Sequence, residues 1–146
     1  MVQGLGDMNL SLVLAAAGSA LGTGVAGMAA IGAWKKAFAN NKIAPFIMIA
    51  FVGAPLTQTI YGMILRNAIK DANLPPESYL FQMIIGLSGG LAIGLSAYMQ
   101  GKAAARASDA LGETGKGFGN YLMVLGVIET VALFVMIFCM QALPKI

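Results

Sequence analysis

The sequence predicts an all-α membrane protein of four spanning helices, arranged as two helical hairpins in tandem. Three observations carry this prediction. Of 146 residues, 58% are hydrophobic and only 10% charged, whereas a soluble domain devotes about 25% of its residues to charge. A chain of this length has too small an interior to hide so much apolar side chain from water. The charges are also gathered so that positions 8–34, 43–65 and 78–101 hold none, and 117–144 holds only Glu129. Each stretch meets the ~20 residues that a helix needs to cross a ~30 Å hydrocarbon layer. Finally, Ala20-Leu21-Gly22 returns as Ala92-Ile93-Gly94, 72 positions later.

The first span is expected at about 8–34. The segment before it, MVQGLGDMNL, lacks the basic start of a cleaved signal peptide, so this span is expected to be retained. Trp34 closes it where an aromatic belt would lie, and the joint 35–42 follows with Lys35, Lys36 and Lys42. The second span, about 43–66, is bulkier and holds Pro55 in its middle. Its joint, 66–78, carries Arg66, Lys70, Asp71 and Glu77 and turns at Pro75-Pro76. The third span is expected at 79–105, followed by a joint at 102–117 with Lys102, Arg106, Asp109, Glu113 and Lys116. The fourth, 118–142, holds Glu129 and Cys139. Residues 1–72 thus form one hairpin and 73–146 the other, in the same orientation, a parallel rather than an inverted repeat.

The two odd spans are the glycine-rich ones. Gly18, Gly22, Gly24, Gly27 and Gly32 in the first are answered by Gly86, Gly90, Gly94, Ser96 and Gly101 in the third. Gly18 and Gly22, like Gly86, Gly90 and Gly94, are four apart and share a helix face. In lipid such faces let backbones approach closely. One such pair reads as a simple helix contact; two long ladders predict crowded packing, as in the inner layer of a tight ring, with the even spans outside.

Joints 35–42 and 102–117 hold six basic residues, against Arg66, Lys70 and Lys145 on the opposite side. Positive-inside counting therefore puts those two joints in the cytoplasm and both termini outside. The net charge of +3 reports this topology; no basic-aromatic patch reads as a nucleic-acid surface. The absence of His removes the usual routes to zinc, haem and imidazole chemistry, and one cysteine forms no intrachain disulfide. Gly22-x-Gly24-x-x-Gly27 spells a dinucleotide motif, but it lies inside a span with no strand before it and is rejected. Nine of the ten Met residues lie in apolar spans and read as packing filler.

Glu129 lies 13 positions after Lys116 and 16 before Lys145, so about 20 Å of helix separates it from either flank. That depth is near the bilayer centre, where insertion scales charge about 2.5–3.5 kcal/mol for such a side chain. Glu129 needs a partner, a proton or a cation. A protonated Glu bonded across helices would be a purely structural answer; an ion or proton site fits this depth better. The first hairpin has no matching carboxylate, since no acidic residue occurs between Asp7 and Asp71. At the matching depth it has Pro55-Leu56-Thr57-Gln58-Thr59-Ile60-Tyr61-Gly62. Thr57, Gln58 and Tyr61 are spaced to share a face. Pro55 lacks an N–H and clashes with the carbonyl four residues back, which frees a carbonyl near Val52–Ala54 as a ligand. Gln100 is the third piece, near the cytoplasmic end of the third span. Alone, each of these polar groups reads as an interhelical hydrogen bond, worth ~0.6 kcal/mol on average, or as an interfacial amide. Together they make an oxygen-rich cage of the kind hard cations favour.

With these residues in view, the chain resembles the proteolipid membrane rotor component (K or c) of V-type and A/V-type rotary ATPases. The resemblance covers tandem hairpins, glycine-rich odd helices and a carboxylate midway along the fourth. Pro-x-Thr-Gln-x-x-Tyr-Gly at 55–62, with Gln100 and Glu129, is similar to the sodium-translocating bacterial members. It implies Na⁺ ligands at Thr57, Gln58, Gln100 and Glu129 plus the Ala54 carbonyl, with Tyr61 bonding the carboxylate. It further implies identical subunits in a ring, a stator subunit, a central stalk, and ATP hydrolysis on partner subunits. The same rotor carrying H⁺ is the alternative within this reading. A small four-span proton-coupled exporter is the alternative outside it, although such exporters usually place their Glu in the first span.

Overall fold

The computed structural model describes residues 5–144; Lys145, one of the three basic residues counted on the outer side, lies outside them. Four helices or helix runs are long and apolar enough to cross a membrane: Leu10–Ala39, Phe46–Asp71, Pro76–Thr114 and Phe118–Gln141. The protein is a multi-pass, all-α membrane protein.

Helix α1 is Leu10–Ala39. Its start is capped by Asp7, whose carboxylate accepts from the backbone N–H of Asn9 (3.0 Å) and Ser11 (2.8 Å) and from the Ser11 hydroxyl. This satisfies N–H groups that a helix start leaves without partners. The second span is not one helix. A 3₁₀ turn at Phe46–Met48 leads into α2 (Ile49–Gly53), a second 3₁₀ turn occupies Ala54–Leu56, and α3 runs Thr57–Asp71. Pro55 sits inside the second turn, where its missing N–H and its ring forbid the regular α ladder. The break therefore falls at the proline, next to Thr57 and Gln58.

Helix α4 follows a 3₁₀ turn at Pro76–Ser78 and runs Tyr79–Thr114; α5 is Phe118–Gln141. Three helices outrun their expected ends. α1 continues through Lys35 and Lys36, α3 passes Arg66 and ends at Asp71, and α4 passes residue 105 and ends only at Thr114. The charges that end the hydrocarbon layer do not end a helix. Ala103, Ala104, Ala105, Ala107 and Ala110 are strong helix formers, and nothing interrupts them before Gly115. Gly115 and Gly117 take φ of +67° and +89°, a left-handed stop that favours glycine. The joint expected at 102–117 is thus mostly helix, and its turn is 115–117.

α1 and α4 lie directly on one another through glycine. Gly18 meets the backbone of Gly94, and Gly22 meets Ala97 and Gly101; a methyl at Gly18, Gly22, Gly94 or Gly101 would overlap partner backbone. The second span crosses α1 with Gly62 on Ser11 and Ala15 and with Pro55 on Gly22. α5 packs on α4 and α3. One apolar cluster joins Ala26, Ala30, Met48, Phe51, Ala104, Leu111 and Leu125, where Phe51 also stacks on Phe118 at 5.2 Å. A second joins Ala15, Leu65, Ile69, Ile85, Ile93, Ala132 and Met136. The polar residues of the second span, Thr57 to Tyr61, fall between Phe51 of one cluster and Leu65 of the other. Elsewhere large apolar side chains face outward from every span, as a surface meant for lipid or a neighbouring copy requires.

The two lysine-rich joints share one end of the bundle, where Lys36 pairs with Glu113 at 2.9 Å. The second joint and the start of α1 share the other, where Arg66 Nε donates to Asn9 Oδ1 at 2.7 Å.

Candidate functional site

The break at Ala54–Leu56 delivers Thr57 and Gln58 to the first turn of α3, with Tyr61 one turn later. Thr57 Oγ1 lies 3.1 Å from both the Ala54 carbonyl oxygen and Gln58 Oε1. Its single hydroxyl hydrogen serves one of them at a time. Gln58 Nε2 donates to Gln100 Oε1 of α4 at 2.8 Å. Gln100 Nε2 in turn donates to the Leu125 carbonyl (2.9 Å) and to Glu129 Oε2 (3.2 Å) of α5. Tyr61 OH donates to Glu129 Oε1 at 2.8 Å. Gln58 and Gln100 are wholly buried, while Thr57, Tyr61 and Glu129 are half-buried.

The structure brings all six residues singled out in the sequence into one connected network: Ala54, Thr57, Gln58, Tyr61, Gln100 and Glu129. It also shows two contributors that the sequence did not mark. The Leu125 carbonyl, one turn before Glu129, accepts from Gln100. Ser96 Oγ donates to the Ile128 carbonyl at 2.9 Å. In the sequence Ser96 reads as one more small residue in a packing ladder. Its spacing of four from Gln100 was the available signal, because both side chains then leave α4 toward the same neighbour.

Chemically the site is one carboxylate met by two donors, the Tyr61 hydroxyl and the Gln100 amide nitrogen, with neutral oxygens further along the network. Ala54, Thr57, Gln58, Gln100 and Glu129 present hard oxygen donors suited to alkali and alkaline-earth ions and ill suited to soft metals. Among the described residues no group of three or more His, Cys, Asp or Glu side chains could hold a metal ion. A single negative charge is balanced by one monovalent cation or one proton, and either makes the site near neutral in a medium where net charge is expensive.

Residues 83–141, from the second turn of α4 to the last residue of α5, match the C-subunit family of ATP synthase. This stretch, less than half of the chain, is similar to that family. It contains Gln100 and Glu129, so the carboxylate and its nearest amide lie inside the matched residues. The second span, which supplies Thr57, Gln58 and Tyr61, lies outside the matched stretch.

Proposed function

We propose that this chain is the rotor-ring subunit of a V-type or A/V-type rotary ATPase and that its cargo is Na⁺, bound by Glu129. The observation that carries the reading is one hydrogen-bond network on a single carboxylate: Tyr61 OH (2.8 Å) and Gln100 Nε2 (3.2 Å) meet Glu129, and Gln58 and Thr57 join it through Gln100. A proton site needs a carboxyl and a partner or two. The further oxygens of Ala54, Thr57 and Gln58 suit a cation that must exchange its water shell for protein ligands.

In this reading each subunit loads an ion at one access path, travels through lipid, and unloads at another path on a stator subunit. A bare carboxylate resists lipid, whereas a filled site is near neutral, so only filled sites pass and rotation is tied to transport. One carboxylate per two hairpins halves the ions carried per span, which favours pumping driven by ATP hydrolysis on partner subunits. Joints 35–42 and 115–117, with the last turns of α1 and α4, face the cytoplasm. Lys35 and Lys36 there, with Arg106 and Lys102 about two and three turns before the tip of α4, offer a docking surface to the central stalk.

The test is carbodiimide labelling of Glu129 in native membranes across pH, with Na⁺ or K⁺ present. Carbodiimides react with the protonated carboxyl. Protection by Na⁺ and not by K⁺, strongest at higher pH, supports the sodium rotor. Labelling that ignores Na⁺ assigns the cargo to H⁺ and reduces the cage to a hydrogen-bond network.

A further inference from the structure

We propose that Ser96 is a positioning residue for the ion site, setting the rotation of α5 so that Glu129 faces Gln100 and Tyr61. This rests on the ion-carrying reading of Glu129 above. The need arises from α5 itself. Its only buried side chains are Leu125, Ala132 and Met136, while Met123, Val127, Val131, Phe134 and Phe138 all face outward. In lipid an exposed Leu or Phe loses little, since the solvent is as apolar as the core. A turn of α5 about its axis would exchange one apolar face for another at small cost, yet it would carry Glu129 away from its partners. Hydrophobic burial alone therefore fixes the orientation of this helix weakly.

Two hydrogen bonds from α4 supply the missing constraint. Ser96 Oγ donates to the Ile128 carbonyl (2.9 Å) and Gln100 Nε2 to the Leu125 carbonyl (2.9 Å). The accepting carbonyls belong to the residue just before Glu129 and to the one a turn before it. Both donors are buried, Ser96 being 7% exposed and Gln100 0%, so water does not compete for them. Gln100 has a second task as a partner of the carboxylate (3.2 Å). Ser96 touches no oxygen of the site and acts only on backbone. Ser88, two turns earlier on α4, is the internal contrast: its hydroxyl is spent on carbonyls of its own helix, Ile84 (2.8 Å) and Ile85 (3.3 Å).

The experiment compares wild type, Ser96→Ala, Ser96→Cys and Ser88→Ala in intact membranes, titrating Na⁺ against carbodiimide labelling of Glu129. Ser96→Ala is expected to raise the Na⁺ concentration for half-protection about three- to tenfold, as loss of a hydrogen bond that orients a ligand does. Ser96→Cys keeps the side-chain shape at slightly larger size and weakens the donor, and is expected to fall between; Ser88→Ala is expected to match wild type. A Ser96→Ala titration that coincides with wild type overturns the proposal while leaving the sodium reading intact. If wild type itself shows no Na⁺ protection, the sodium reading fails instead. The same variants are then compared by the pH of half-labelling, where coincidence of Ser96→Ala with wild type again overturns the role of Ser96. Should Ser96→Ala fail to assemble, Ser96→Cys is read alone against the same criteria.

Discussion

Along the seam between α1 and α4, backbone rests on backbone: Gly18 on Gly94, Gly22 on Ala97 and Gly101. Where α5 meets the bundle the contact is of another kind, with three buried side chains and a handful of hydrogen bonds to Ser96, Gln100 and Tyr61. The seam is steric and leaves almost no freedom, because close-packed backbone has one arrangement or none. The seat of α5 is polar and local, made of bonds that can be exchanged one at a time. The Glu129 carboxylate, the carrier in the proposed reading, is mounted on the second kind of contact and braced against the first. A carrier that must release its cargo needs such a division, with a frame that keeps its shape and a carboxylate whose partners can change.

Gly94→Leu attacks the seam most severely. The Gly94 position is filled by the Leu14 carbonyl and the Gly18 backbone, so no rotamer of Leu fits and the overpacking cost exceeds the usual 1–3 kcal/mol. Ring assembly in mild detergent is expected to vanish, and a normal ring from this variant would refute the seam as a rigid frame. Next comes Glu129→Gln, which changes charge and leaves the seam untouched. Rings are expected to form normally while ion-coupled rotation and flux are lost; surviving flux would sink Glu129 as the carrier.

Tyr61→Phe is a smaller perturbation, deleting one hydroxyl that donates to Glu129 at 2.8 Å. Its expected effect is a several-fold rise in the Na⁺ needed to protect Glu129, equivalent to roughly 1–2 kcal/mol for a bond to a charged group, with assembly unchanged. Smallest of all is Gly24→Ala, since among the described residues nothing outside its own stretch of helix lies within 4 Å of a methyl there. The variant chain is expected to fold as well as wild type, with helix propensity improved by about 1 kcal/mol. A defect confined to ring assembly would show that a neighbouring copy packs against α1 at that point, and would extend the glycine frame from one chain to the ring.

How far the sequence could be read follows the same division. The spans were legible because charge is expensive in hydrocarbon, so gaps between charges mark them. The break in the second span was legible at Pro55 because proline acts locally. Thr57, Gln58, Gln100 and Glu129 stood out as polar residues in apolar surroundings, which is unusual enough to point at one another across the length of the chain. The ends of α1 and α4 were not legible from charge, because Lys36 or Arg106 is as content in a helix as in a loop once the chain has left the lipid. Ser96 was hidden for a different reason. Serine is both a small packing residue and a donor, and only its neighbour in space, the Ile128 carbonyl, decides which of the two it is.

The length of α4 has a mechanical consequence. Its 36 residues make a rod of about 54 Å, longer than the ~30 Å of hydrocarbon. Gln100, which holds Glu129, and Glu113, which grips Lys36, belong to that one uninterrupted rod, about 20 Å apart along its axis. Between them lies no proline, no glycine but Gly101 and Gly112, and no break in the helix. A displacement at Gln100 therefore reaches the far tip undamped by any hinge. In the proposed reading, α4 is at once a wall of the ion site and a lever on whatever is fastened to its end.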